Sequence, residues 1–128
     1  MVVHDVGGDV FVGGDLRMRK SCLGGCALVW FGGELDVAHA VEVRAFLDAA
    51  ILDGRAQIVV DVTQLAFVDA AGLGVLVGAA GRAARNGGSL RLVGARPMLR
   101  AMLVILRLTS VLAVYESVDS AVAVSGSR

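Results

Sequence analysis

Leu65-Ala66-Phe67-Val68-Asp69-Ala70-Ala71-Gly72-Leu73-Gly74-Val75-Leu76 decides how the rest of this chain is read. An apolar run that ends on an acidic residue and continues at helical spacing predicts a buried strand end, an N-cap and a helix. Asp69 is the cap, accepting from backbone N–H groups of the first turn for about 1 kcal/mol. Behind it, Leu73, Leu76, Val77, Ala80 and Ala84 form the predicted core stripe. Ala71, Gly74, Val75 and Gly78 fall on the other face. Glycine inside a helix costs up to about 1 kcal/mol relative to alanine. Gly74 and Gly78 therefore point to close approach by another backbone, from within the fold or from a partner.

Working outward, Ile58-Val59-Val60 is a continuous apolar run, as expected of a central strand covered on both faces. Leu16-Arg17-Met18-Arg19 alternates apolar and basic residues, the pattern of a half-buried strand near a sheet edge. The Gly24-Gly25 turn joins it to Ala27-Leu28-Val29-Trp30-Phe31, which must run antiparallel to it. Asp36 caps a helix to about Leu52, with Val43, Phe46, Leu47, Ala50 and Ile51 inward, and Gly54 stops it. The helix after Asp69 ends at Asn86-Gly87-Gly88, and Leu90-Arg91-Leu92-Val93 is the next strand. Pro97 opens a third helix whose inward stripe is Leu99, Met102, Leu103 and Leu106. A short strand at Ala113-Val114-Tyr115 and a helix from Ser117 to about Val124 complete the chain.

Strands alternating with helices imply an α/β layer structure with right-handed crossovers. We expect one α/β domain over residues 15–128, with a mixed β-sheet whose first strands are antiparallel and about four helices. Residues 1–14 are read as a flexible or weakly structured N-terminal extension, with a short strand at Val10-Phe11-Val12.

Acidic and basic residues balance at 12 each, so nothing favours nucleic acid or an anionic membrane surface as partner. Hydrophobic residues make up 56% of the chain, yet the uncharged runs 21–33 and 70–81 are too short and glycine-rich to span a bilayer. No basic segment precedes an apolar run at the N-terminus, so the expectation is no signal peptide and a cytoplasmic domain. Cys22 and Cys26 bracket Leu23-Gly24-Gly25 and are read as free thiols. The sharper alternative is a redox switch, a disulfide across the Gly24-Gly25 hairpin.

No cofactor, metal or reaction centre is expected. Gly72-x-Gly74 opens a helix after a strand, but Val77 stands where the dinucleotide fingerprint needs its third glycine. Asp36, Asp61 and Asp69 lie at or beyond carboxyl ends of strands and are placed together at one edge of the sheet. No histidine, lysine or serine completes a reaction centre with them, and His39, on an early helix turn, is read as a surface residue. Cys22, Cys26, His4 and His39 make neither a zinc site nor a catalytic triad.

Gly33-Glu34-Leu35-Asp36 and the 69–74 segment, with Ile58-Val59-Val60-Asp61, Gly88-x-Leu90-Arg91-Leu92-Val93, Pro97, Arg100-x-x-Leu103 and Val114-Tyr115-Glu116-Ser117, resemble the STAS family. The likeness is to the bacterial anti-sigma-factor antagonists and covers about residues 28–123. It implies binding to an anti-sigma factor, usually a serine kinase, which frees a sigma factor for transcription. In that cycle the kinase phosphorylates the residue after the aspartate, and the added charge ejects the antagonist. On this pattern the partner-binding residues are Asp36, Asp69, Ala70, Ala71, Gly72, Leu73, Gly74, Val75 and Gly78.

The chain departs from the pattern in two places. Ala70 occupies the acceptor position and Ala71 follows, so neither can take a phosphate; Thr63 is the nearest hydroxyl and precedes the 65–68 run. Two readings stay open. The chain is a permanently competent antagonist, controlled by abundance or by redox at Cys22 and Cys26, or it is a non-phosphorylatable STAS scaffold that self-associates or binds a small ligand. In the third helix, family members often carry an acidic residue near Val104 and a glycine stop near Arg107. Here Leu103-Val104-Ile105-Leu106 is apolar all round. Val104 or Ile105 is therefore expected to face a second copy in a homodimer, with coverage by residues 1–14 as the competing explanation.

Overall fold

The computed structural model describes residues 10–11, 15–52 and 56–126, with side chains for 15–52 and 56–123. Its strands are β1 (Val10–Phe11), β2 (Leu16–Leu23), β3 (Cys26–Leu35), β4 (Gln57–Val68), β5 (Ser89–Val93) and β6 (Ala113–Tyr115). Its helices are α1 (Ala40–Leu52), entered through a 3-10 turn at Val37–His39, α2 (Ala70–Arg85), α3 (Pro97–Ile105) and α4 (Val118–Gly126). The six strands form one sheet in the order β1-β2-β3-β4-β5-β6. The first two pairings are antiparallel and the other three parallel. The sheet is mixed, as expected. Val10–Phe11 is the edge strand at the end opposite β6; the rest of the 1–14 segment and the expected Gly54 stop lie outside the described residues.

Alternation along the strands sorts the side chains into two layers. Met18, Val29, Phe31, Ile58, Val60, Leu90 and Leu92 face one side, where α1, α2 and α3 bring Val43, Leu47, Leu73, Leu76, Leu99 and Leu103 onto them. Leu28, Val59 and Val93 face the other side and pack with Ala121 of α4. Where α4 does not reach, Trp30 lies against Gly32, on which a Cβ would collide with the indole ring. The Arg17 and Arg19 guanidinium carbons sit 5.4 and 5.5 Å from the centroid of that ring. Aromatic and aliphatic stems shield this part of the sheet in place of a helix.

Two helical stripes differ from expectation. In α2 the buried positions are Gly72, Leu73, Leu76, Ala79, Ala80 and Ala83, while Val77 is half-buried and Ala84 exposed. Close contact at Gly72, described below, rotates the inward face by one residue. In α3 Leu99 and Leu103 are buried and Met102 packs partly buried beside them, but the helix stops at Ile105 and Leu106 serves as its C-cap, 51% exposed.

The stop itself is a Schellman turn: Leu108 N–H donates to Leu103 O at 2.8 Å and Arg107 N–H to Val104 O at 3.1 Å. Arg107 has φ of 57°, the left-handed conformation that glycine enters without a Cβ clash. Family members often place glycine near this point, and here an arginine bears the strain. We expect Arg107→Gly to stabilise the domain by about 1 kcal/mol in denaturant unfolding. A neutral or destabilising result would show that the arginine side chain compensates for its backbone.

Candidate docking site at the Asp69 helix start

Leu35 and Asp69, far apart in sequence, meet where β3 and β4 end together. Leu35 pairs with Val68 as the last register pair of the two strands. One residue on, Asp69 N–H donates to Leu35 O at 3.2 Å. The carboxylate then serves two helix starts. Oδ1 accepts from Gly72 N–H at 2.8 Å and caps α2; Oδ2 accepts from Val37 N–H at 3.1 Å, the start of the turn leading into α1. Asp36 adds its own cap, Oδ1 accepting from Ala38 N–H at 3.0 Å. Negative charge at two adjacent helix starts is favourable because unpaired N–H groups concentrate positive potential there.

Glycines make this junction tight. Gly33, at φ of 100°, has no room for a Cβ against the Asp15 carbonyl, which accepts from Glu34 N–H at 3.1 Å. A Cβ on Gly72 would come within 2.5 Å of Leu35 O. The Gly33–Asp36 and Asp69–Gly72 motifs are thus two halves of one joint.

The candidate docking residues divide on this geometry. Gly72 and Leu73 are buried and serve the domain's own packing. Ala70 and Gly74 are exposed, and a Cβ on Gly74 would meet nothing within 4 Å. Ala71, Val75 and Gly78 are partly exposed, with Arg82 Nη1 3.1 Å from a Cβ built on Gly78. Val37 in the 3-10 turn and Val41 in the first turn of α1 are 69% and 79% exposed, and sequence reasoning missed both. The signal was available: neither belongs to the inward stripe of that helix. Further along, Arg82 Nε donates to Asp48 Oδ1 at 2.6 Å and ties α2 to α1.

Several other expectations are corrected. His39 is buried, at 8% exposure, with Nδ1 2.9 Å from Asp36 Oδ1, because the 3-10 turn swings it under the helix. Asp61 does not join Asp36 and Asp69. It pairs with Val93 where β5 ends, while β4 continues to Val68, and its Oδ1 accepts from Thr63 N–H at 2.9 Å. No metal-binding group of three or more His, Cys, Asp or Glu occurs among the described residues. Thr63 is exposed on β4, away from either helix cap, and its carbonyl accepts from Arg96 Nε at 2.9 Å.

Cys22 and Cys26 are free and on opposite faces of the sheet. Leu23 pairs with Cys26 and Cys22 with Ala27; Cys26 packs with Leu23 toward α4, and Ala27 belongs to the layer under the other helices. Alternation separates the two thiols, so the hairpin cannot close a disulfide between them without changing register.

We expect Asp69→Ala to cost about 2 kcal/mol of stability, about 1 for each cap lost, measured by denaturant unfolding. Asp69→Asn should cost less, since one oxygen still accepts. Equal, negligible losses would mean that the double cap does not hold the two helices.

The family model of the STAS domain matches residues 17–121, most of the chain. No curated protein is matched by sequence. Among solved structures, an anti-sigma factor antagonist from Mycobacterium paratuberculosis superposes with a TM-score of 0.77 at 20% identity, covering 85% of this chain and 92% of that one. The phosphorylated form of the Bacillus cell fate determinant SpoIIAA gives 0.66 at 20%, covering 87% and 99%. The murine anion transporter Slc26a9 gives 0.72 at 18%, covering 83% of this chain but 18% of the transporter. At these identities the superpositions establish a shared fold. With the family match over residues 17–121, the joint of Gly33–Asp36 and Asp69–Gly72 identifies the chain as a member of the STAS domain family.

Proposed function

We propose that this domain is an anti-sigma-factor antagonist that acts by binding, with no catalysis of its own, and regulates sigma-factor-dependent transcription from the cytoplasm. The observation that carries the reading is the outer face of α2: Ala70, Ala71 and Gly74 present almost no side-chain bulk, with Val75 and Gly78 partly exposed beside them. Asp69 anchors exposed Val37 beside them. A partner helix or loop can reach the α2 backbone there while burying Val37 and Val41. Superposition on antagonists supports the same reading.

Its partner is an anti-sigma factor of the serine-kinase type. With Ala70 at the first helical position, that kinase has no acceptor hydroxyl at the site where added charge would eject the antagonist. Cys22 and Cys26 face opposite sides of the sheet, which argues against a disulfide between them and favours control by abundance. No helix among the described residues is long and apolar enough to cross a membrane.

A second reading is the STAS scaffold that self-associates as a homodimer, supported by exposed Val104 (66%), Ile105 (76%) and Leu106. These three offer roughly 300 Å² of contiguous apolar surface, well under the roughly 800 Å² per partner of a stable interface. The antagonist reading is therefore preferred.

Gly74→Arg tests it. Open space at Gly74 and the helix propensity of arginine should leave thermal stability unchanged or raised by about 1 kcal/mol. Binding to the cognate anti-sigma factor should fall at least about a hundredfold, some 3 kcal/mol, in calorimetric titration. A folded variant that binds normally would place the docking face elsewhere.

A further inference from the structure

From Val62 to its end at Val68, β4 pairs with β3 alone. Its other edge has no strand neighbour among the described residues. Gln64-Leu65-Ala66-Phe67-Val68 contains no charge and no proline, and Gln64, Ala66 and Phe67 are exposed. Proteins ordinarily blunt such edges with lysine, proline or a covering element, because unpaired main-chain groups template pairing with another chain. Arg96 covers the start of the segment, where its Nε donates to Thr63 O. Register shifts between Trp30 and Gly32 and between Gly33 and Glu34 bend β4 along this stretch, and no strand pairs with its far edge beyond Asp61 among the described residues.

A shallow groove lined by Leu65, Ala66, Phe67, Arg96, Met98 and Leu99 follows this edge. It encloses only about 20 Å³, against roughly 300 Å³ or more in small-molecule pockets. A metabolite gains little burial there. The edge instead offers a row of main-chain donors and acceptors, flanked by Phe67 at 41% and Met98 at 47% exposure. Another extended backbone is the group that matches such a row.

We propose that residues 64–68 dock an extended segment of a protein partner by strand addition. Apolar side chains of that segment lie on Phe67 and Met98, and a carboxylate sits beside Arg96. The hydrogen bond to Thr63 uses Nε, which leaves the two Nη groups of this exposed arginine for a charge-assisted pair. The surface is separate from the outer face of α2 and does not depend on the antagonist reading.

The experiment titrates the isotope-labelled full chain with the capped peptide Glu-Val-Thr-Val-Thr-Glu and follows amide shifts and hydrogen exchange. Shifts and slowed exchange should centre on residues 64–68. Phe67→Lys, and independently Met98→Lys on the facing helix, should weaken binding by about tenfold or more while thermal unfolding stays cooperative. The same peptide with proline in place of valine should give no response. Absence of shifts at millimolar peptide, shifts centred elsewhere, or equal binding of the proline peptide would overturn the proposal. Because the probe is synthetic, such a failure leaves docking on α2 standing, and failure of that docking leaves this edge standing.

Discussion

One carboxylate holds this domain's two principal helix starts together. Asp69 accepts from Gly72 in its own helix and from Val37 across the sheet, while its N–H returns to Leu35. Each bond contributes about 1 kcal/mol net to stability. Their combined effect is geometric, because they fix where α1 and α2 begin relative to the ends of β3 and β4. Gly33 and Gly72 are consequences of that joint, since side chains at either would collide with the carbonyls of Asp15 or Leu35. The joint also sets what lies outside it: small residues of α2, exposed Val37 of the 3-10 turn and exposed Val41 of α1.

The outer face of α2 gives up helix stability for access. Gly74 and Gly78 each weaken the helix relative to alanine, and neither supports the core. The buried side of the same helix, from Leu73 through Ala83, together with the Arg82–Asp48 pair, keeps α2 seated despite that cost. A face of this kind suits binding by close backbone approach. On the proposed function, alanine at position 70 removes the means by which a phosphate would add about two negative charges beside Asp69. Binding then depends on concentration and affinity alone.

Much of the fold was legible in the sequence because periodicity and caps agree with one another. The strand pattern at 16–19, the Gly24-Gly25 turn and the run at 58–60 each carried their own signal, as did the cap at Asp69. What escaped reading was long-range. A sequence shows Asp69 capping its own helix but not its second oxygen reaching Val37. It shows Gly72 as one of several small residues but not the Leu35 carbonyl that makes it necessary and turns the core stripe by one position. His39 was misplaced because a 3-10 turn, not an α-helix, follows Asp36. The cysteines are a different case: a two-residue turn pairs 23 with 26, so alternation alone places 22 and 26 on opposite faces.

On the proposed function, this domain docks an anti-sigma factor beside Asp69 without a phosphate switch at position 70. The most direct measurement follows the complex with its cognate anti-sigma factor by analytical gel filtration before and after ATP, for the natural chain and for Ala70→Ser. Position 70 is exposed, so serine is accommodated without repacking. The natural complex should persist with ATP, and the serine variant should take up phosphate and dissociate. Release of the natural chain by ATP, or a serine variant that is phosphorylated yet stays bound, would contradict the proposed function.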